Sequence, residues 1–297
     1  MATQTAPPAA QGELVESIRV AVPQRGLRHD TRAVGVVWRR ELIRFRTDRL
    51  RAVTSLVQPI LFLFVLGTGL SSLARAGMPP GLSFKTFIYP GVLAMSVLFT
   101  AIFSAASIVW DREFGFLREI LVAPVSRGSI VIGKCLGGAT IATFQGVIFL
   151  ALAGFAHVPY NPELIAILVG ELLLLSFTLT AFGVMMAARI KQFQAFMALT
   201  QMLVLPLFFL SGALYPLNGL PTWLTALTRI DPITYIVGPM RDAVFAHLAI
   251  PGFEQHLLAP AITWAGWAVP QWMAIGIVAV MGASMMGVAI IEFRKTE

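Results

Sequence analysis

Six apolar stretches, each long enough to cross the hydrocarbon core of a bilayer, decide what this chain can fold into. They fall at about 53–74, 87–110, 130–156, 164–187, 195–214 and 268–291, and a spanning helix needs roughly 20 largely apolar residues. Inside lipid every backbone amide must be paired within its own segment, so stretches of this length imply helices rather than open sheet. Pro59 and Pro206 fall inside spans, which a bundle of neighbouring helices tolerates. Only 12% of the residues are charged against 57% apolar, about half the charged share of a soluble domain. The fold expected is all-α: a polytopic membrane protein with six transmembrane helices, an N-terminal amphipathic interface helix, and short external interfacial helices between the fifth and sixth spans.

The net charge of +7 is distributed in a way that argues for topology and against nucleic acid. Ten of the 22 basic residues are arginines at or before Arg51, and no basic stripe interleaved with aromatics follows. Anionic lipid headgroups are the partner such a segment fits. Taking the connections alternately, one side of the membrane carries 18 basic residues and the other 4. The positive-inside rule then places both termini in the cytoplasm of a multi-pass cell inner or plasma membrane protein. An even number of spans is required to keep that asymmetry. No signal peptide is visible, so the first span is expected to serve as its own insertion signal.

Residues 1–32 are expected to form a disordered cytoplasmic tail and 33–297 a single transmembrane domain. From Val34 to Arg51, the residues Val34, Val37, Trp38, Leu42 and Phe45 share one helical face, with arginines elsewhere. That pattern predicts an amphipathic helix on the membrane surface, although Glu41 sits near its apolar side. Residues 215–267 are too broken by proline to span and too apolar for a free loop, so short helices at the outer interface are expected there.

Catalytic chemistry has little to stand on. The single cysteine, Cys135, excludes an internal disulfide and reads as a small packing residue. His29, His157, His247 and His256 are scattered without metal-ligand spacing. Gly128 to Cys135 nearly spells a phosphate-binding loop, but Cys135 stands where the motif needs Ser or Thr for Mg²⁺, and the run leads into a span. Lys134 therefore reads as an anchor at the inner interface. Glu171, about two turns into the fourth span, is the one intramembrane carboxylate that invites a role, as a candidate substrate-pathway residue.

Two motifs carry a resemblance. The first is Asp111-Arg-Glu-Phe-Gly-Phe-Leu-Arg-Glu-Ile-Leu-Val-Ala-Pro-Val-Ser-Arg127, joining the second and third spans and followed by Gly133-Lys134. The second comprises Pro206-Leu-Phe-Phe-Leu-Ser-Gly212, Tyr215-Pro216, Leu220-Pro-Thr-Trp223, Asp231-Pro-Ile-Thr-Tyr235 and Met240-Arg241. Together they resemble the permeases of ABC-2 type transporters, most closely the drug and antibiotic exporters that include daunorubicin-resistance-like proteins. The family more often has Asn where Asp231 stands.

The resemblance implies a transport subunit without an ATPase site of its own, which would export an amphipathic drug, antibiotic, lipid or glycolipid. No cofactor would be bound by this chain, and ATP with Mg²⁺ would sit on a separate ABC ATPase subunit. Two permeases would pair, as a homodimer or pseudo-dimer. The loop between spans two and three would dock the ATPase, through Asp111, Arg112, Glu113, Phe114, Gly115, Arg118, Glu119, Leu121, Pro124 and Arg127. A secondary transporter would instead require inverted repeats and several intramembrane charges. A membrane enzyme acting on a lipid-linked substrate would require clustered carboxylates or histidines.

Overall fold

The computed structural model describes residues 27–71, 82–115, 125–217, 219–248, 262–264 and 267–295. Its order is α1 (Leu27–Thr47), α2 (Arg49–Leu61), α3 (Phe84–Ser104), α4 (Ala106–Glu113), α5 (Arg127–Leu150), α6 (Pro162–Arg189), α7 (Phe193–Leu210), α8 (Thr222–Thr228), α9 (Thr234–Ala246) and α10 (Gln271–Lys295). A two-stranded antiparallel ribbon, Thr263–Trp264 against Trp267–Ala268, precedes α10. Among the described residues, six helices are long and apolar enough to cross a membrane: Ala52–Gly69, Phe84–Glu113, Arg127–Leu150, Pro162–Arg189, Phe193–Leu210 and Gln271–Lys295.

Local chemistry sets where these helices begin. Ser83 and Ser126 each cap a helix by accepting from the backbone N–H three residues on. Asn161 accepts from Glu163 N at 2.9 Å, and Pro162 occupies the first helical position, where a missing N–H costs nothing. Within the first span Pro59 withholds a helical N–H, and a π-helical turn, Phe62–Leu66, follows within one turn of it.

The second span forms the centre and is enclosed almost throughout, whereas the first, fifth and sixth spans are mostly exposed. Their outer faces carry Val53, Val57 and Val65 on the first, Met202 and Phe209 on α7, and Trp272 and Val280 on α10. Stripes of this size would aggregate in water and are at home in lipid.

Several expectations need correcting. The tail expected to be disordered to residue 32 is helical from Leu27 onward, and residues 1–26 lie outside the described residues. The third span stops at Leu150 rather than reaching 156; a 3₁₀ turn, Ala153–Ala156, follows and ends on His157 at φ 57°. Helix α4 continues the second span to Glu113, so Asp111, Arg112 and Glu113 belong to a helix end instead of a loop.

Helix α1 packs along α5. A Cβ at Gly133 would stand 2.8 Å from Val37 Cβ, and one at Gly137 would stand 2.7 Å from Glu41 Cβ. The small residues four apart let the two backbones meet.

At the end opposite the termini, α8 leaves Trp223 exposed while α9 is sunk into the bundle, burying Tyr235, Ile236, Met240 and Phe245. Arg241 is buried there, donating to the carbonyls of Phe87 (3.3 Å), Gly212 (2.9 Å) and Ala213 (3.2 Å) with its guanidinium 4.2 Å from the Phe87 ring. It thereby ties α9 to the ends of the second and fifth spans that lie away from the termini.

Asp231 accepts from Ile233 N (3.0 Å) and Thr234 Oγ1 (3.3 Å) at the start of α9. Burial pushes its carboxyl up to about 8, partly offset by those two hydrogen bonds. A neutral carboxyl has the outline of an amide, so Asn could take its place. The unfolded chain loses this proton near pH 4, whereas the folded chain holds it up to about 8. The native state thus binds the extra proton across that window, and stability falls as pH rises, by at most about 1.4 kcal/mol per pH unit. Asp231→Asn removes the dependence. Its thermal midpoint in detergent is expected to exceed the parent's at pH 8 and to match it only at about pH 4 and below, where the unfolded carboxyl is protonated too. Parallel curves for the two proteins would rule out a neutral native carboxyl.

Candidate functional site

Three consecutive charged residues at the end of the second span reach three different parts of the bundle. Asp111 is buried and accepts from Lys134 Nζ and Arg40 NH2, both at 2.9 Å. Lys134 also donates to Glu41 (3.2 Å) and Ser107 Oγ (3.0 Å), so all three ammonium donors are used. Asp111 is in this way held to α1 and α5 together.

Arg112 turns the other way. Its NH1 donates to the carbonyls of Ala187 (3.0 Å) and Ile190 (2.8 Å), at the C-terminus of α6. Those carbonyls have no helical partner, and the helix dipole there favours a cation. Glu113 completes the set: its Oε2 accepts from Phe193 N at 2.7 Å, placing a negative charge on the N-terminus of α7. Trp110 packs against Phe114 (centroids 4.5 Å apart) and edge-on to Phe193 (5.1 Å).

The remaining residues expected at this loop divide into two groups. Gly115 has φ 83°, a conformation open to glycine, and it ends α4. Phe114 is more than half exposed. Arg118, Glu119, Leu121 and Pro124 lie outside the described residues. At the far side of the loop Arg127 donates to the Arg294 carbonyl (3.1 Å), and Ser126 N donates to Asp30 of α1 (3.2 Å). Both ends of the loop are therefore fastened to α1.

Two readings of single residues change. Lys134 is not an interface anchor but the centre of a buried ion cluster, because the close packing of α1 brings Glu41 onto it. Glu41, which looked like a flaw in an amphipathic face, is the partner that face needs. The segment Gly128 to Cys135 lies within the helix α5, not in a loop, and from Ser129 onward its N–H groups bond to Ser126 or within the helix. Among the described residues, no group of three or more His, Cys, Asp or Glu side chains could hold a metal ion.

Beside the ion cluster lies a cavity of about 350 Å³, reached by residues of α1, α2, α3, α4, α5 and α7. At its depth Gln145 is buried, bonded to Thr100 Oγ1 (2.7 Å) and to Ser55 Oγ. Sequence reading overlooked this group, since one glutamine in a span lowers hydropathy very little. Glu171 does not line the cavity. It is buried in α6, facing the charge of Asp242 on α9, and its Oε2 has no hydrogen-bond partner among the described residues.

Comparison with known proteins places this arrangement in a family. The chain is 29% identical over 209 residues to ycf38 of Cyanophora paradoxa, named as a transport permease, covering 69% of this chain and 72% of that one. YadH of Escherichia coli strain K12, an inner membrane transport permease, is 29% identical over 214 residues, covering 70% and 81%. YbhR of the same strain, named a probable multidrug ABC transporter permease, is 32% identical over 159 residues; the match spans 52% of this chain and 43% of YbhR's own length. Residues 32–245 match the ABC-2 type transporter family, a stretch that takes in most of α1, the first five spans, the loop between the second and third, and nearly all of α9; the chain belongs to that family.

Proposed function

We propose that this chain is the membrane-embedded permease subunit of an ATP-driven exporter, carrying amphipathic cargo out of the cytoplasm with energy from a separate ABC ATPase. Both termini and the 111–127 loop face the cytoplasm in this reading, and two permeases pair around the pathway. The chain contributes no catalytic residue; its role is to turn motion of the ATPase into motion of helices.

One observation carries the reading. The helix end that leads into the loop holds α1 and α5 through Asp111, α6 through Arg112 and α7 through Glu113. A load applied to the loop reaches the first span through α1, and reaches the fourth and fifth spans through the ends of α6 and α7. An ordinary connector has no need to grip four elements. Phe114, exposed at the edge of the aromatic cluster, supplies an apolar anchor for a partner surface.

Co-purification with the ATPase tests this. Truncating a central aromatic anchor typically costs about 2 kcal/mol or more, roughly a thirtyfold loss in affinity. Phe114→Ala is expected to lose that much ATPase binding while still inserting into the membrane at the parent's level. Unchanged binding and export by alanine variants through 114–121 would move the docking site elsewhere.

A further inference from the structure

Glu171 is a buried carboxyl for which the described residues supply no counter-charge. It lies in the half of α6 away from the termini and is 7% exposed. Leu168 and Leu175, a turn to either side on the same helix face, are buried with it. Its Oε2 has no hydrogen-bond partner among the described residues. The charge that acts on it is negative and belongs to Asp242 of α9. A carboxyl so placed, facing a second one, needs either a cation or a proton.

Among the described residues, no cation is placed to serve Glu171. On α9, Arg241 spends Nε on the Phe87 carbonyl and NH2 on those of Gly212 and Ala213. His247, just past α9, has its ring bonded to the Ala243 carbonyl. Helix α5 has no charged residue after Lys134, and α10 has none before Glu292 at its far end. On α3, Lys85 sits over the Phe64 ring and the Tyr89 hydroxyl donates to the Phe149 and Leu150 carbonyls. The charges of α4 are committed at the opposite end of the bundle. Glu163 of α6 is exposed, and Asp231 is bonded at the other end of α9.

Asp242 connects this carboxyl to water. It is half-buried and accepts from Gln271 Nε2 at 3.2 Å, and Gln271 is itself exposed at the start of α10. A cavity of about 30 Å³ beside it is lined by Ser211, Arg241, Asp242 and Gln271, with room and polar partners for a water molecule. We propose that Glu171 is a proton-binding site, reached through Asp242 from the end of the bundle away from the termini, and that its proton keeps α9 seated on α6. With the proton bound, Glu171 is a donor and Asp242 an acceptor, so the two helices attract. Once the proton leaves, two like charges face each other across the same contact and push the helices apart. The seated state binds the extra proton, so rising pH loosens α9. The inference goes beyond the exporter reading and does not depend on it.

Infrared spectra of the purified full chain in phosphatidylcholine nanodiscs test it, with no ATPase present and potassium as the only metal cation. Asp231→Asn and Cys135→Ala form the background, so that neither group contributes a signal. A protonated-carboxyl band is expected at about pH 5 and is lost on a jump to about pH 9. Glu171→Gln removes the band, and isotope-labelled glutamate assigns it without any mutation at that site. Asp242→Asn, which blocks the route, is expected to slow the loss at least tenfold. Seating of α9 is read by maleimide labelling of Val244→Cys, a position buried in the fold, relative to the same chain unfolded in SDS at each pH. Labelling is expected to be at least fivefold faster at about pH 9 than at about pH 5, and to differ less than twofold once Glu171→Gln is added. Absence of a glutamate band at every pH, or its suppression by added sodium, overturns the proton site. An unchanged rate in Asp242→Asn overturns the route, and pH-independent labelling of Val244→Cys overturns the latch. A failure of ATP-driven transport would overturn the exporter reading and leave these results standing.

Discussion

Lys134→Met is expected to cost about 3–5 kcal/mol, because it strips the cation from a cluster that holds two buried carboxylates. Arg40 still reaches Asp111 from the exposed side, so most of the penalty falls on Glu41. Adding Glu41→Gln to Lys134→Met removes that stranded charge, and the double variant is expected to regain more than half of the loss. Thermal unfolding in detergent and the yield of monodisperse protein provide the measurement. A single variant as stable as the parent would mean that α1 does not pack on α5 through this cluster. Equal losses in the single and double variants would mean that packing of the lysine stem, rather than charge, is what matters.

That cluster also shows where sequence reading succeeds and where it stops. The six spans and the amphipathic α1 were legible because each is announced by a run of local chemistry: twenty apolar residues, or a 3.6-residue period. The position of the loop motif was legible for the same reason. Which side chains meet was not. Glu41 looked out of place on an apolar face and Lys134 looked like an interface anchor, and the two meet only because Gly133 and Gly137 bring the helices together.

Glu113 and Phe114 illustrate a different limit. They were grouped as contacts for a partner, yet Glu113 is already committed to the N-terminus of α7 while Phe114 remains exposed. Adjacent residues in a motif diverge in role because α4 turns successive side chains by about 100°. The glutamine cavity was illegible for a simpler reason: its residues come from separate spans, and none is unusual in its own segment.

The largest effect on function is expected from Arg112→Ala and Glu113→Ala, since each cuts the second span from one neighbour without touching Phe114, the proposed docking anchor. Arg112 gives two charged hydrogen bonds to orphaned carbonyls of α6, each of which typically contributes about 1.5–3 kcal/mol. Glu113 gives one to α7, reinforced by the helix dipole. With its ATPase reconstituted alongside, either variant is expected to bind the partner normally and hydrolyse ATP within twofold of the parent, while cargo moved per ATP falls at least tenfold. Conservative replacements separate transmission from mere loss of structure. Glu113→Gln keeps an acceptor for Phe193 N and should retain intermediate coupling, and Arg112→Lys keeps a cation that can reach one carbonyl and should do likewise. The ratio of transport to hydrolysis is the deciding quantity, because a destabilised permease loses both together. If that ratio stays constant across all four variants, the helix end is a structural brace, and the load from the ATPase must enter through α1.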